Sequence, residues 1–326
     1  MGSVQTADLR FSRDGAHLIV WDGPITCQIQ ILQLHFGQRL VRYVRQVALF
    51  QPYPSGSAPG VSALTLSPNK QYILAGFHDE KVRIINSLSW RELFAFDHSW
   101  GELTEMNSSD ILNIYKEQDS PDGIFYQALS RPYNVPRLPL QDQAPGVGLG
   151  KVANRGVSRI EVSHDSRFAA TKCLTSPRCV WIWDLVEMSL NSLLVQSGEI
   201  ADLRWNPHSH NLNICSGANR LFLWSPKGAS VCQVPTATST IVTQKTDRAQ
   251  AASAANARRV PGNPPAFAQS GASAAARGTT KIQLDLQVAQ LRWNPNGSSF
   301  AAIDKAQLVF VYPQQILDSA RGAQEE

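Results

Sequence analysis

Apolar and polar residues alternate in short runs along much of this chain, and each run is broken by small or polar residues. The stretch "ADLRFSRDGAHLIVW" sets Leu9 and Phe11 against Asp8 and Arg10, stops at "SRDG", and resumes as "HLIVW". A period of two is the period of a β-strand, whose successive side chains point to opposite faces. Ser, Asp, Asn, Gly and Pro at the breaks supply the backbone angles of tight turns.

The same phrase returns. "ADLRWNP" occupies 201–207 and "AQLRWNP" 289–295, while "SALTLSPNKQYILAG" and "SRIEVSHDSRFAATK" follow the same grammar. Five copies align on Ser12, Ser67, Ser163, Asn206 and Asn294. The step from the third to the fourth is 43 residues, the period of a four-stranded propeller blade, and the longer steps are one period plus an insertion. In each copy an inner strand, a polar turn and a second strand are followed by a third, as in "QIQIL", "VRIIN", "VWIWD", "LFLWS" and "LVFVY". Ala75, Gly76, Ala169, Ala170, Ala301 and Ala302 are small where two sheets must approach closely. A lone sheet of this kind leaves both apolar faces wet, and radial stacking covers them. The predicted fold is all-β: five β-propeller blades, part of a larger or incomplete propeller, with two long insertions.

These residues resemble WD40 repeats. "VWIWD" at 180–184 ends its strand in Trp-Asp, and "GFHDEKVRIIN" at 76–86 is similar to the core of that repeat, with Asp79 in its tight turn. The resemblance implies that Asp79 accepts hydrogen bonds that fix the turn. The other copies lack this Asp and are degenerate. "VSALTLSPNKQYILAGFHDEKVRIINSLSWRELFAF", "ILNIYKE" and "RLFLWSPKGASVCQVP" carry a narrower resemblance, covering about residues 7–235 and 281–312. They look like the centrosomal and spindle-pole-body WD-repeat proteins that partner a microtubule-anchoring coiled-coil protein. The likeness is to the last five repeats of a longer array, so a truncated start or a shortened member is expected. It implies a non-catalytic scaffold in the cytoplasm and cytoskeleton, at the microtubule-organising centre. The implied partners are an anchoring coiled-coil protein and a minus-end kinesin. The competing reading is a WD40 scaffold in trafficking, ubiquitin ligation or RNA handling, because fold alone does not choose among scaffolds.

The predicted organisation is two repeats over 1–117, an insertion over 118–155, two repeats over 156–235, an insertion over 236–280, a fifth repeat over 281–313 and a flexible tail over 314–326. The first insertion has five Pro and four Gly, and the second has 13 Ala among polar residues. Neither holds enough large apolar groups to offset chain entropy, so both are expected to be disordered.

Charge narrows the partners. The net charge of +4 resolves into +5 over residues 236–281 and −1 elsewhere, so the blades carry no basic excess and no nucleic-acid partner is expected. Lys245, Arg248, Arg258, Arg259, Arg277 and Lys281 make the second insertion basic, able to attract an acidic surface weakly. The lack of a long apolar run predicts no membrane span, and no secretory signal follows Met1. "MGSVQT" fits the myristoylation pattern but leaves little tether before the first strand. Five widely spaced cysteines without a CxxC pair read as free thiols in a reducing compartment. Ser120-Pro121 is a proline-directed phosphorylation candidate.

No catalytic constellation emerges, and no cofactor is expected. "GVGLG" at 146–150 neither follows a strand nor opens a helix, and the sequence has no GxSxG, HExxH or GxxxxGK[ST]. "HSH" at 208–210 lies in a turn without a third ligand at suitable spacing, so no metal is expected there. The pairs Asp8/Arg10, Arg159/Glu161 and Asp202/Arg204 each share a strand face and predict ion pairing between blades. The candidate partner surface is the end of the second strand, where Trp21, Phe77 and His78 sit on adjacent blades. Aromatic rings exposed there would be anchors, and removing Trp21 and Phe77 would weaken partner binding while sparing the fold.

Overall fold

The computed structural model describes residues 6–12, 14–22, 28–36, 41–53, 60–104, 112–121, 123–138, 155–234, 238–242, 279–283, 286–305 and 307–312. Residues 1–5 of the myristoylation pattern, "GVGLG", Cys27, the tail 314–326 and most of 236–280 lie outside them. Among the described residues no helix is long and apolar enough to cross a membrane. The chain divides into two units, 1–234 with 287–326, and 235–286.

The larger unit is a series of sheets, antiparallel except where β10 pairs in parallel with β16. The first blade is β1 (Thr6–Phe11), β2 (His17–Asp22), β3 (Ile29–Phe36) and β4 (Val41–Phe50), and the second is β5 (Val61–Leu66), β6 (Tyr72–Phe77), β7 (Lys81–Asn86) and β8 (Glu92–Asp97). Short strands β9 (Glu102–Leu103) and β12 (Tyr133–Asn134) pair with each other, and β10 (Asn113–Ser120) with β11 (Gly123–Leu129) forms a hairpin. The third blade is β13 (Val157–Val162), β14 (Phe168–Cys173), β15 (Cys179–Asp184) and β16 (Ser189–Val195). The fourth is β17 (Asp202–Trp205), β18 (Leu212–Cys215), β19 (Arg220–Ser225) and β20 (Gly228–Gln233). After β21 (Thr238–Val242) and β22 (Thr279–Gln283), a three-stranded sheet of β23 (Gln290–Trp293), β24 (Phe300–Ile303) and β25 (Leu308–Val311) follows.

The five anchor residues explain the repeated phrase. Each one's backbone N–H donates to the carbonyl five residues later: Ser12 to His17 (2.9 Å), Ser67 to Tyr72 (2.9 Å), Ser163 to Phe168 (2.8 Å), Asn206 to Asn211 (2.8 Å) and Asn294 to Ser299 (2.9 Å). The hydroxyls of Ser67 and Ser163 also accept from the N–H of Tyr72 (2.8 Å) and Phe168 (2.9 Å). The phrase is thus the innermost strand and its turn, written once per blade.

Blades stack through their apolar faces. Ile19, Trp21, Ile29 and Ile31 of the first meet Ile73, Ala75, Phe77 and Ile85 of the second. Leu74, Val82, Ile84 and Phe96 of the second meet Ile160, Trp181, Trp183 and Leu193 of the third. Phe168, Ile182 and Leu194 of the third meet Leu203, Ile214 and Phe222 of the fourth. The small residues matter at these seams: a Cβ on Gly76 would lie 2.9 Å from Val157 Cβ. Gly156 is tighter still, at φ +102, where a Cβ would come within 2.5 Å of the Phe77 carbonyl oxygen.

The segment 118–155, expected to be disordered, is partly ordered. β10 pairs in parallel with β16 and so extends the third blade past its outer edge, and β11 completes the hairpin. Glu117, on β10, is held there by the Ser197 N–H (2.7 Å) and Arg220 Nη1 (2.8 Å). Further on, Arg137 reaches the Glu80 carboxylate and donates to the His98 carbonyl (2.7 Å). Buried ion pairs fix this stretch together with apolar packing of Leu129, Tyr133 and Val135 against the core of the second and third blades. Residues 139–154 lie outside the described ones. In the second insertion β21 and β22 pair antiparallel at its two ends, forming the described part of the smaller unit.

Among the described residues, apolar side chains are exposed in the first blade and around β25. In the first blade Leu9, Phe11, Tyr43, Val44 and Leu49 are exposed, and Leu308, Phe310 and Tyr312 are exposed in and just after β25. Faces of this kind drive association. The isolated chain is expected to form oligomers at micromolar concentration by light scattering. Phe11→Lys with Phe310→Lys should return it towards the mass of one chain, since exposed positions contribute little to the fold. A monodisperse monomer of the unaltered chain would overturn the expectation.

Candidate functional site

Strands β1, β5, β13 and β17 carry the alternation that places polar groups on one common side. There they line a cavity of about 800 Å³, whose wall includes Asp8, Arg10, Trp21, His78, Arg159 and Glu161. Because side chains two apart share a face, Arg159 and Glu161 of β13 confront Asp202 and Arg204 of β17. The four close a ring: Arg159 Nη2 lies 2.9 Å from Glu161 Oε1 and 3.0 Å from Asp202 Oδ1. Arg204 completes it at 2.9 Å from Glu161 Oε1 and 3.4 Å from Asp202 Oδ2. Asp202 Oδ2 also accepts the Leu291 N–H at 3.0 Å, tying in the fifth sheet.

The ring consumes its own charge. Burial pushes the Glu161 carboxyl up, against the pull of Arg204 and Arg159. Removing one member would strand a partly buried charge, which is costly. The predicted ion pairing between blades is therefore present for Arg159/Glu161 and Asp202/Arg204, while Asp8 and Arg10 remain exposed. Two carboxylates each paired with guanidinium groups present a ring of fixed, mutually bonded charges, an arrangement suited to polar recognition.

The structure separates the three candidate anchors. Phe77 is fully buried and Trp21 is 6% exposed, both inside the apolar seam between the first two blades. The Arg83 guanidinium lies 4.6 Å over the Phe77 ring, and Phe50 stands 6.4 Å away. Strand ends here are covered by the neighbouring blade and by Arg83, so Phe77 is a packing group with no exposed surface, while Trp21 packs in the seam and only borders the cavity. His78 is half-buried on the cavity wall, with Nδ1 2.6 Å from the Arg155 carbonyl oxygen. A carbonyl only accepts, so Nδ1 carries the proton and Nε2 is left for other contacts.

Asp79 lies in the turn between β6 and β7. Its Oδ1 accepts the Lys81 N–H (3.1 Å), and Oδ2 accepts from the Tyr53 hydroxyl and Arg83 Nη2 (2.7 Å each). Tyr53 arrives from beyond β4, so this carboxylate also connects the first two blades.

A second buried polar network has no signature in the repeat pattern. His98, fully buried, places Nδ1 3.0 Å from the Glu80 carbonyl oxygen and Nε2 2.7 Å from Thr171 Oγ1. Thr171 Oγ1 accepts the Trp183 indole N–H at 2.9 Å. Since Nδ1 must donate to the carbonyl, Nε2 accepts the Thr171 hydroxyl proton. Phe96 stacks on Trp183 with centroids 4.4 Å apart. The stretch "FDHSW" at 96–100 was the available signal, a His beside aromatic residues at a strand end. Cys179 and Cys215 are buried, and burial pushes each thiol up to about 12, which removes them as nucleophiles.

No family model matches the chain. The mouse (Mus musculus) WD repeat-containing protein WRAP73 is 29% identical over 196 residues, covering 54% of this chain and 40% of that protein. An uncharacterized WD repeat-containing protein of Schizosaccharomyces pombe is 22% identical over 237 residues, covering 68% and 44%. The matched part thus spans less than half the length of either relative. Among solved structures, a chain of the mitotic checkpoint complex aligns over 94% of this chain and 74% of its own at 16% identity and a TM-score of 0.35. With the repeat grammar written five times, the chain is similar to WD repeat-containing proteins over 54–68% of its length.

Proposed function

We propose that the chain is a non-catalytic WD40 scaffold of the microtubule-organising centre, the centrosome or spindle pole body. It binds an anchoring coiled-coil protein, with a minus-end kinesin as a further partner, and so holds spindle microtubule minus ends at the pole. The observation that carries the reading is the likeness of whole repeats, including "ILNIYKE", to the centrosomal and spindle-pole WD-repeat proteins. The curated WD-repeat relatives support the scaffold class. The polar cavity at the innermost strands supplies a recognition surface, with charges arranged in pairs and not as a reacting acid and base.

Affinity purification of the tagged chain from mitotic cells tests the proposal. Recovery of spindle-pole coiled-coil proteins, with the tag at the poles, is the expected result. Recovery of coat, ubiquitin-ligase or ribonucleoprotein subunits with no polar signal would replace it by the other scaffold reading.

A further inference from the structure

We propose that the inner turns of the third and fourth blades form a binding site for one divalent transition-metal ion of the zinc class, held by His164, Asp165 and His210. The three residues each offer one ligand atom, and these atoms lie within 4.8 Å of one another. His164 and Asp165 occupy the turn between β13 and β14, and His210 the matching turn between β17 and β18. The repeat places the two turns side by side, joining residues 45 positions apart. That is why the sequence offered "HSH" without a third ligand.

The local bonding assigns each imidazole. His208 is spent: its Nε2 contacts the Pro295 carbonyl at 2.8 Å. His210 turns the other way, with Nε2 2.6 Å from Asp165 Oδ2. The second oxygen of that carboxylate accepts from Ser163 Oγ (2.7 Å) and the Arg167 N–H (3.1 Å), which fixes its orientation. Such outer hydrogen bonds orient metal-binding carboxylates. The His164 ring lies 5.1 Å from that of His210, and its Nδ1 is buried with no hydrogen-bond partner. A buried polar atom left unbonded is uncommon in a folded chain. Arg167, the nearby cation, does not occupy the site: its guanidinium lies over Phe168 at 5.2 Å and bonds Asp184 at 3.4 Å.

Two imidazoles and one carboxylate are a zinc-type donor set, with water as the fourth ligand. Metal–ligand bonds of about 2.0–2.2 Å put tetrahedral ligand atoms about 3.4 Å apart. Closing from 4.8 Å requires side-chain shifts of about 1 Å within two partly exposed turns. A bound ion would join the two blades at this edge.

Titration of the full chain with Co²⁺ followed by visible absorption, and with Zn²⁺ by calorimetry, tests the site. One equivalent of Co²⁺ should give the d–d bands of a four-coordinate nitrogen and oxygen site, and one equivalent of Zn²⁺ should abolish them. His210→Gln and Asp165→Asn should each weaken zinc binding by at least about tenfold. His208→Gln should leave it unchanged, and circular dichroism should show each variant folded. If a variant misfolds, His164→Asn provides the same comparison from the other ligand. Absence of a saturable one-to-one signal, or equal affinity in the ligand variants and the unaltered chain, would overturn the proposal.

Discussion

Phe77→Ala is expected to destabilise the fold by about 3–5 kcal/mol, the usual range for deleting a fully buried aromatic ring. The ring fills the seam between the first two blades, against Ile73, Val61 and Phe50, with the Arg83 guanidinium above it. Alanine would leave a cavity there and remove the face on which Arg83 rests, so the Asp79–Arg83–Tyr53 bonds would loosen with it. Phe77→Leu keeps most of the volume and should cost roughly half as much or less. Urea unfolding followed by tryptophan fluorescence measures both. A loss under about 1 kcal/mol for the alanine variant would show that the seam collapses around the gap or that the ring is not packed. Partner binding measured on the same variant distinguishes the roles: a packing residue changes stability first.

That expectation reverses what the sequence alone suggested for Phe77 and Trp21, and the reason is physical. A strand end reads as exposed when only its own sheet is considered. In a stack, the neighbouring blade covers it, and no local pattern records the neighbour. The repeats themselves were legible because a turn is local: "SRDG" and "SPNK" state their geometry within four residues. So was the Arg159–Glu161–Arg204–Asp202 ring, since two charged pairs recur on equivalent strands of adjacent blades.

The β10–β11 hairpin was legible in part and was passed over. "SPDG" at 120–123 is a hairpin signal, but it sits in a stretch whose Pro and Gly content suggests disorder. What orders the hairpin is a parallel pairing with β16, nearly 80 residues away, and the Glu117–Arg220 pair. Composition measures the core a segment can build for itself. It is blind to an edge strand that another sheet supplies. The same limit applies to Arg137, whose role is set by Glu80 in the second blade.

Lowering the pH from 7 to 4 should remove about 3 kcal/mol of stability through His98 alone. Burial holds this imidazole well below its ordinary range, moving it from 6.5 to about 4, with Asp97 and the Glu80 carbonyl pulling upward and Arg137 pushing down. In the unfolded chain the ring takes up a proton near 6.5, whereas in the fold it does so near 4, so the unfolded state binds more protons between those values. Stability is therefore fully present above about 6.5, falls as the pH drops through this window, and levels off below about 4. Asp165 shifts stability with the same sign, since its folded value also lies below the unfolded one. Its folded value is lowered from 3.8 to about 2, so its contribution is lost only in a lower window that does not overlap with that of His98. His98→Gln should be less stable than the unaltered chain at pH 7, because the contacts to Thr171 and Glu80 are disturbed, yet its stability should vary little between pH 6.5 and 4.5. Equal slopes for the two proteins across that range, or an NMR titration of His98 near 6.5 in the folded chain, would mean that the ring is solvated and the buried network is not as described.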